Sequence, residues 1–203
     1  MSGTSRSFAA LRMTARLLVV LASPAAAQHA AAAPSTRAVP AEARQMAFLI
    51  GQFDLVVKPK AVGLGQKIHG VPKLVGTWKA WKALDGYGVE DDLRVTDESG
   101  NPKLYSNAVR YYDAEQKRWR ASTIDVYRGV FSTSSGEWKD NAIIMTSHGT
   151  DAEGKVYASR TRYYDITPTG FKYRSDRSFD EGKTWEEGVL RIEAKRVAAT
   201  ATR

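Results

Sequence analysis

Residues 170–179 read Gly170-Phe171-Lys172-Tyr173-Arg174-Ser175-Asp176-Arg177-Ser178-Phe179, with Thr167-Pro168-Thr169 before them and Asp180-Glu181-Gly182-Lys183 after. Phe171, Tyr173, Ser175, Arg177 and Phe179 share one phase of a two-residue period, and Lys172, Arg174, Asp176 and Ser178 share the other. Successive side chains of a strand point to opposite faces. The alternation therefore predicts a strand with an aromatic inner face and a charged, wet outer face. Flanking Pro, Gly and Asp residues predict tight turns at both ends.

The same pattern recurs along the chain. Val89, Asp91, Leu93 and Val95 alternate with Glu90, Asp92, Arg94 and Thr96, and Trp119, Ala121, Thr123 and Asp125 alternate with Arg118, Arg120 and Ser122. Turn residues fall at Asp85-Gly86, Asp97 to Asn101, Asp113 to Lys117, Ser134-Ser135-Gly136, Asp151 to Gly154, Thr167 to Gly170 and Asp180 to Lys183. No helical segment lies between them, so neighbouring strands should pair antiparallel. In the last run Trp185, Leu190, Ile192 and Ala194 all read as inward although the parity switches between them, which predicts a bulge at Gly188. One short helix is expected at Glu42 to Ile50, where Met46, Leu49 and Ile50 follow i, i+3, i+4 spacing. The predicted fold is all-β: an antiparallel meander of about eight to ten strands closed into a barrel, with a short N-terminal helix. A sandwich is the competitor, but it needs a long crossover that successive hairpins do not.

Composition narrows the chemistry. There is no cysteine, which excludes disulfides, thiolate metal sites and a cysteine nucleophile, and the three histidines (His29, His69, His148) are too few and too scattered for a multi-histidine metal site. Residues 1–27 carry Arg6, Arg12 and Arg16 with no acid, then the apolar run Leu17 to Ala22 and the small residues Ala25-Ala26-Ala27. That order fits a secretory signal cut after Ala27, starting at Met1 or Met13, and the apolar run is too short to span a membrane. The expected location is periplasmic or secreted. Without these residues 27 basic side chains face 22 acidic ones, a balance of +5 rather than +8. Those cations alternate with aromatics along presumed strands and form no basic run, so nucleic acid is not an expected partner. The domain reading is then a signal peptide 1–27, a flexible leader 28–40, a barrel 41–198 and a disordered tail 199–203.

Arg110-Tyr111-Tyr112-Asp113 recurs 52 residues later as Arg162-Tyr163-Tyr164-Asp165. Two copies are too few for a repeat array; they predict equivalent hairpins with Tyr111 and Tyr163 on the inner side. Ser178 to Trp185 matches S-x-D-x-G-x-T-W, the Asp-box of sialidase-type propellers. A single copy reads as a hairpin turn rather than a sugar site.

Phe48-Leu49-Ile50-Gly51-Gln52-Phe53-Asp54, Leu84-Asp85-Gly86, Arg110 to Asp113, Asp165-Ile166-Thr167-Pro168 and Asp180 to Trp185 together resemble lipocalin-like, calycin-type exported bacterial proteins of unknown function. The resemblance covers residues 45 to 197. It implies a signal peptide, a helix-plugged barrel and a central cavity, without a known reaction. It departs at Phe53, where lipocalins carry a Trp packed against an arginine of the C-terminal strand. The nitrobindins, of similar type, hold haem through a histidine near the C-terminus; this chain has none after His148. No cofactor and no metal are therefore expected.

Candidate ligand-binding residues follow from the inward phases: Arg177, Asp91 and Asp125 as charged groups, Asn107 and Thr123 as polar ones, and Trp78, Tyr111, Trp119, Tyr163 and Tyr173 as aromatic walls, with Tyr105 beside them. Gly63 to Gly76 reads as a loop over the barrel mouth, with His69 in it. Arg177 suits a carboxylate or phosphate. The leading reading is an exported monomer or homodimer that binds a small amphipathic, aromatic or anionic molecule in its lumen, without inserting into a membrane. No catalytic residue is assigned. One alternative is an isomerase or lyase using an inner carboxylate beside a tyrosine hydroxyl. Another is an envelope interaction protein whose barrel is filled, the expected sign of which is a lumen below roughly 300 Å³.

Overall fold

The computed structural model describes residues 38–61, 63–151 and 153–198; the expected signal segment, most of the leader and the tail 199–203 lie outside the described residues. Ten strands follow in order: β1 (Gly51–Pro59), β2 (Leu74–Ala83), β3 (Gly88–Asp97), β4 (Pro102–Asp113), β5 (Arg118–Asp125), β6 (Val130–Lys139), β7 (Ala142–Thr150), β8 (Val156–Thr167), β9 (Gly170–Ser178) and β10 (Glu186–Arg196). Each pairs antiparallel with its neighbour in sequence, and β10 returns to β1, so the sheet is a closed barrel. The predicted meander is what forms, at ten strands. Closure leaves no unpaired edge, which suits strands this rich in β-branched and aromatic residues.

The expected N-terminal helix is a 3-10 segment, Ala41–Leu49, and it plugs one end of the barrel with Met46 and Leu49. Beneath it the interior is solid. Phe53, Trp119, Ile143 and Phe171 are fully or almost fully buried. The Phe171 ring lies edge-on to Phe48, Phe53 and Trp78 at centroid distances of 5.4, 5.0 and 5.4 Å. Arg196 closes the seam. Its guanidinium stands 4.5 Å from the Phe53 ring centroid and donates to the carbonyls of Phe48 (2.9 Å), Ile50 (2.7 Å) and Pro168 (2.8 Å). Phe53 thus carries an arginine of the last strand on its ring face. A phenyl face attracts a cation through its quadrupole, though more weakly than an indole.

Several local expectations change. Ser134-Ser135-Gly136 is not a turn but the middle of β6, where a Cβ on Gly136 would run into the Ile144 carbonyl of β7. The turn comes later at Asp140-Asn141, both at positive φ (49° and 52°), as a two-residue hairpin requires. Within Gly63 to Gly76 the structure has a short helix, α1 (Gly63–His69), and β2 has begun by Leu74. The bulge is where it was predicted: pairing of β9 with β10 shifts between Glu186 and Leu190, and Gly188 has φ 63°. Beyond it Trp185 packs outside the barrel, its ring 4.3 Å from the Arg160 guanidinium carbon. Among the described residues no helix is long and apolar enough to cross a membrane.

Candidate binding site

The inner phases of β2, β3, β4 and β8 meet in one buried cluster. Trp78 Nε1 donates to Asp91 Oδ1 at 2.9 Å, Asp91 Oδ2 is ion-paired with Arg110 Nη1, and Arg110 Nη2 lies 3.4 Å from the Tyr163 hydroxyl. Asp91 is 1% exposed and Arg110 7%. Tyr173 sits edge-on to Tyr163 and Trp78, at 5.1 and 6.0 Å. Two full charges inside a barrel are tolerable only because each meets the other. The pair is neutral overall, which bears directly on what it attracts.

Above this cluster, on the side away from the plug, the barrel is hollow. A cavity of about 280 Å³ has walls of unlike composition. On β2, β3, β4 and β10 stand Trp78, Leu93, Leu104, Leu190 and Ile192 together with Ser106 and the Asp91–Arg110 pair; β5 to β9 present Thr123, Ser132, Ser134, Ser147, Ser159, Thr161 and Ser175 together with Ala121, Asp125, Met145, Tyr163 and Tyr173. The cavity runs into a mouth hollow of about 640 Å³, sharing Thr123, Asp125, Ser132, Ser147 and Ser159 with it. The inner cavity alone falls just under the roughly 300 Å³ below which the filled barrel is the expected reading, and the lumen exceeds that figure only when the mouth hollow is counted with it. Taken with the mouth, the barrel is solid at one end and open at the other.

Of the residues singled out in the sequence, Trp78, Asp91, Thr123, Asp125, Tyr163 and Tyr173 line this cavity. Four do not. Trp119 is wholly buried in the solid end, where its Nε1 donates to Gln45 Oε1 at 2.9 Å. Arg177 has the inward phase but lies at the rim, its guanidinium carbon 4.6 Å from the Tyr157 ring centroid, and it is absent from the cavity wall. Tyr111 and Asn107 face outward: Tyr111 is 40% exposed, and Asn107 Nδ2 donates to Asp92 Oδ1 at 3.2 Å on the outer surface. Tyr105 is outside too, stacked under Arg94 at 3.8 Å. The echo explains the error. Tyr112, not Tyr111, is opposite Trp119, so the first copy turns Arg110 inward while the second turns Arg162 outward and Tyr163 inward.

The lumen guanidinium is therefore Arg110, not Arg177. Its signal was present: it shares a phase with Ala108 and Tyr112, and β5 fixes that phase through Trp119. The hydroxyl wall was equally visible, since Ser159 and Thr161 share the phase of Tyr163, and Ser175 that of Tyr173.

The two inner carboxylates have identifiable partners. Asp91 accepts from Trp78 and pairs with Arg110, and Asp125 accepts from the Arg128 backbone and guanidinium at 3.2 and 3.3 Å. Among the described residues, neither carboxylate is hydrogen-bonded to a tyrosine hydroxyl. Withdrawal from water pushes the Tyr173 phenol above its ordinary 10.0, and neighbouring Tyr163 adds to this, against the opposing effects of Arg110 and the Ser175 and Thr161 hydroxyls. In a carbon-detected titration the Tyr173 ring signal should keep its protonated position well past pH 10.0 while the barrel is folded. Ionisation at or below that value would contradict the enclosure described here.

At the rim, the Ser178 to Trp185 segment is a tight turn. Asp180 accepts from Thr184 Oγ1 (2.6 Å), Thr184 N (2.8 Å) and Ser178 Oγ (2.8 Å). These bonds, led by the Thr184 hydroxyl, hold its carboxyl down from 3.8 to about 2. A depressed carboxylate stabilises fully above its unfolded pKa and stops doing so as pH falls through its folded one. The stability gap between the wild type and Asp180→Asn should therefore hold above pH 3.8 and close as pH falls to about 2. A gap that does not change with pH would contradict this.

No protein-family model matches this chain, and no curated protein matches it.

Proposed function

We propose that this protein is an exported, lipocalin-like binding barrel that holds a small neutral amphipathic molecule in the open half of its lumen. The observation that carries the reading is a cavity open to the mouth whose wall is richest in aliphatic and indole side chains on β2, β3, β4 and β10 and in serine and threonine hydroxyls on β5 to β9, with its one buried ion pair internally neutral. An apolar ligand body fits against Trp78, Leu93 and Ile192, and its hydroxyl, carbonyl or amide groups fit the Ser and Thr wall. The sole lumen arginine among the described residues is already neutralised by Asp91, so an anionic ligand finds no unpaired cation there. Neutral ligands are favoured for that reason. Catalysis by an inner carboxylate has no support from a tyrosine partner. Export rests on residues 1–27, and the lipocalin likeness is supported by the plugged, closed antiparallel meander and the Arg196 clasp over Phe53, while the ten strands exceed the eight of lipocalins.

Native mass spectrometry of protein taken from its own cell envelope tests this. The expected result is a retained uncharged small molecule, lost from a Ser159→Leu variant whose added side chain fills the cavity. A ligand-free protein whose interior excludes small probes would overturn the reading in favour of the filled barrel.

A further inference from the structure

We propose that the outer face of β8, β9, β10 and β1 is a binding site for a linear acidic polysaccharide. Strand register sets Arg162 opposite Arg174, Arg174 opposite Arg191, and Arg191 opposite Lys58. Their chain neighbours Tyr163, Ile192 and Val57 are buried inside and Tyr173 lines the lumen, so all four cations face out. Cations scattered over more than 130 positions of sequence thus stand in one row across four adjacent strands. At a strand spacing of about 4.8 Å the row is about 14 Å long.

Like charges directly opposite on neighbouring strands repel. The nearby acids relieve only part of this. Asp176 is 1% exposed and its oxygens are taken by Arg160, Arg174 and the Gly188 N–H. Glu193 is paired with Lys58 at 2.7 Å, Asp165 with Lys172 at 2.9 Å, and Glu187 reaches Arg174 at 3.6 Å. Arg162 and Arg191 are left with no carboxylate among the described residues. Arg162 Nε is enclosed without a hydrogen-bond partner, so only the outer end of its guanidinium can meet an anion, and Arg191 donates to the Gly188 carbonyl at 3.2 Å. A guanidinium fork fits a carboxylate oxygen pair, so the row presents unfilled anion positions about two strands apart.

Curvature and ring placement choose among polyanions. The row spans three of the ten inter-strand steps of a closed barrel, so a flat lipid surface cannot reach all of it, whereas a flexible chain can follow. Single-stranded nucleic acid binds on free aromatic platforms. The rings here, Tyr164 and Trp185, lie beneath Arg162 and Arg160. A polymer with one carboxylate per sugar needs no stacking surface, and its repeat is comparable to the strand spacing.

The test uses the full exported protein with sodium polygalacturonate as probe, in low salt, comparing wild type with R162Q/R191Q and with R118Q/K139Q. The latter removes the same charge from exposed residues elsewhere on the barrel. Saturable binding by wild type that weakens about tenfold or more in R162Q/R191Q but not in R118Q/K139Q is expected, from the loss of two charge-assisted contacts. Equal weakening in both variants would overturn the proposal, as it would show only a net-charge effect. Absence of polygalacturonate binding would overturn it too, as would tighter binding to phosphatidylglycerol vesicles or to single-stranded DNA. Matching thermal unfolding curves for all three proteins ensure that the comparison reads binding, since neither substituted arginine holds a carboxylate.

Discussion

Arg110→Met is expected to destabilise the barrel by about 3–5 kcal/mol, because it leaves the almost fully buried Asp91 carboxylate without its counter-charge. Asp91 is 1% exposed, and its other contact is the Trp78 indole N–H at 2.9 Å. Asp91→Leu alone should cost a similar amount by stranding the guanidinium instead. The double variant D91L/R110M is expected to recover most of that loss, since a buried ion pair contributes little over well-packed apolar side chains of similar volume. What it retains as a penalty is the unpaired Trp78 N–H, about 1–2 kcal/mol. Urea unfolding with an unchanged m-value reads all three. Additive losses in the double variant would show that the two groups do not act as a pair.

The second large effect belongs to the closed end. Arg196→Ala removes the cation over Phe53 and three hydrogen bonds, two of them to the Phe48 and Ile50 carbonyls that join the plug to β1. The expected cost is about 2–4 kcal/mol, and Arg196→Lys should recover only part of it, because one ammonium cannot reproduce the planar fork. Hydrogen exchange should locate the loss in the plug and the β10–β1 seam. Uniform protection with a stability change below about 0.5 kcal/mol would mean that the clasp is ornamental.

The sequence displayed the barrel plainly because most strands carry apolar residues on one phase only. Phe171 and Tyr173 against Lys172 and Arg174 leave no doubt which way β9 faces. The bulge followed from the parity change around Gly188, a purely local signal. β4 is the opposite case. Leu104, Ala108 and Tyr112 compete with Tyr105, Val109 and Tyr111, so both phases look half apolar and only cross-strand pairing decides. That ambiguity hid Arg110 and promoted Tyr111 and Asn107 to the lumen. Arg177 shows a different limit. Alternation states which face a side chain takes but not how far along the barrel axis it lies, and Arg177 lies at the rim against Tyr157. The outer arginine row could not be read locally at all, because its members come from four strands brought together by closure.

Trp78 and Trp119 report separately on the two halves of the barrel, since one indole borders the hollow half and the other is sealed in the solid half. A proton–nitrogen spectrum of the indole groups should be recorded while the small-molecule extract of the native envelope is added to ligand-free protein. The Trp78 signal is expected to shift saturably while the Trp119 signal stays in place. A Trp78 signal that never moves, or one that moves together with Trp119, would contradict a ligand held in the open half of the lumen.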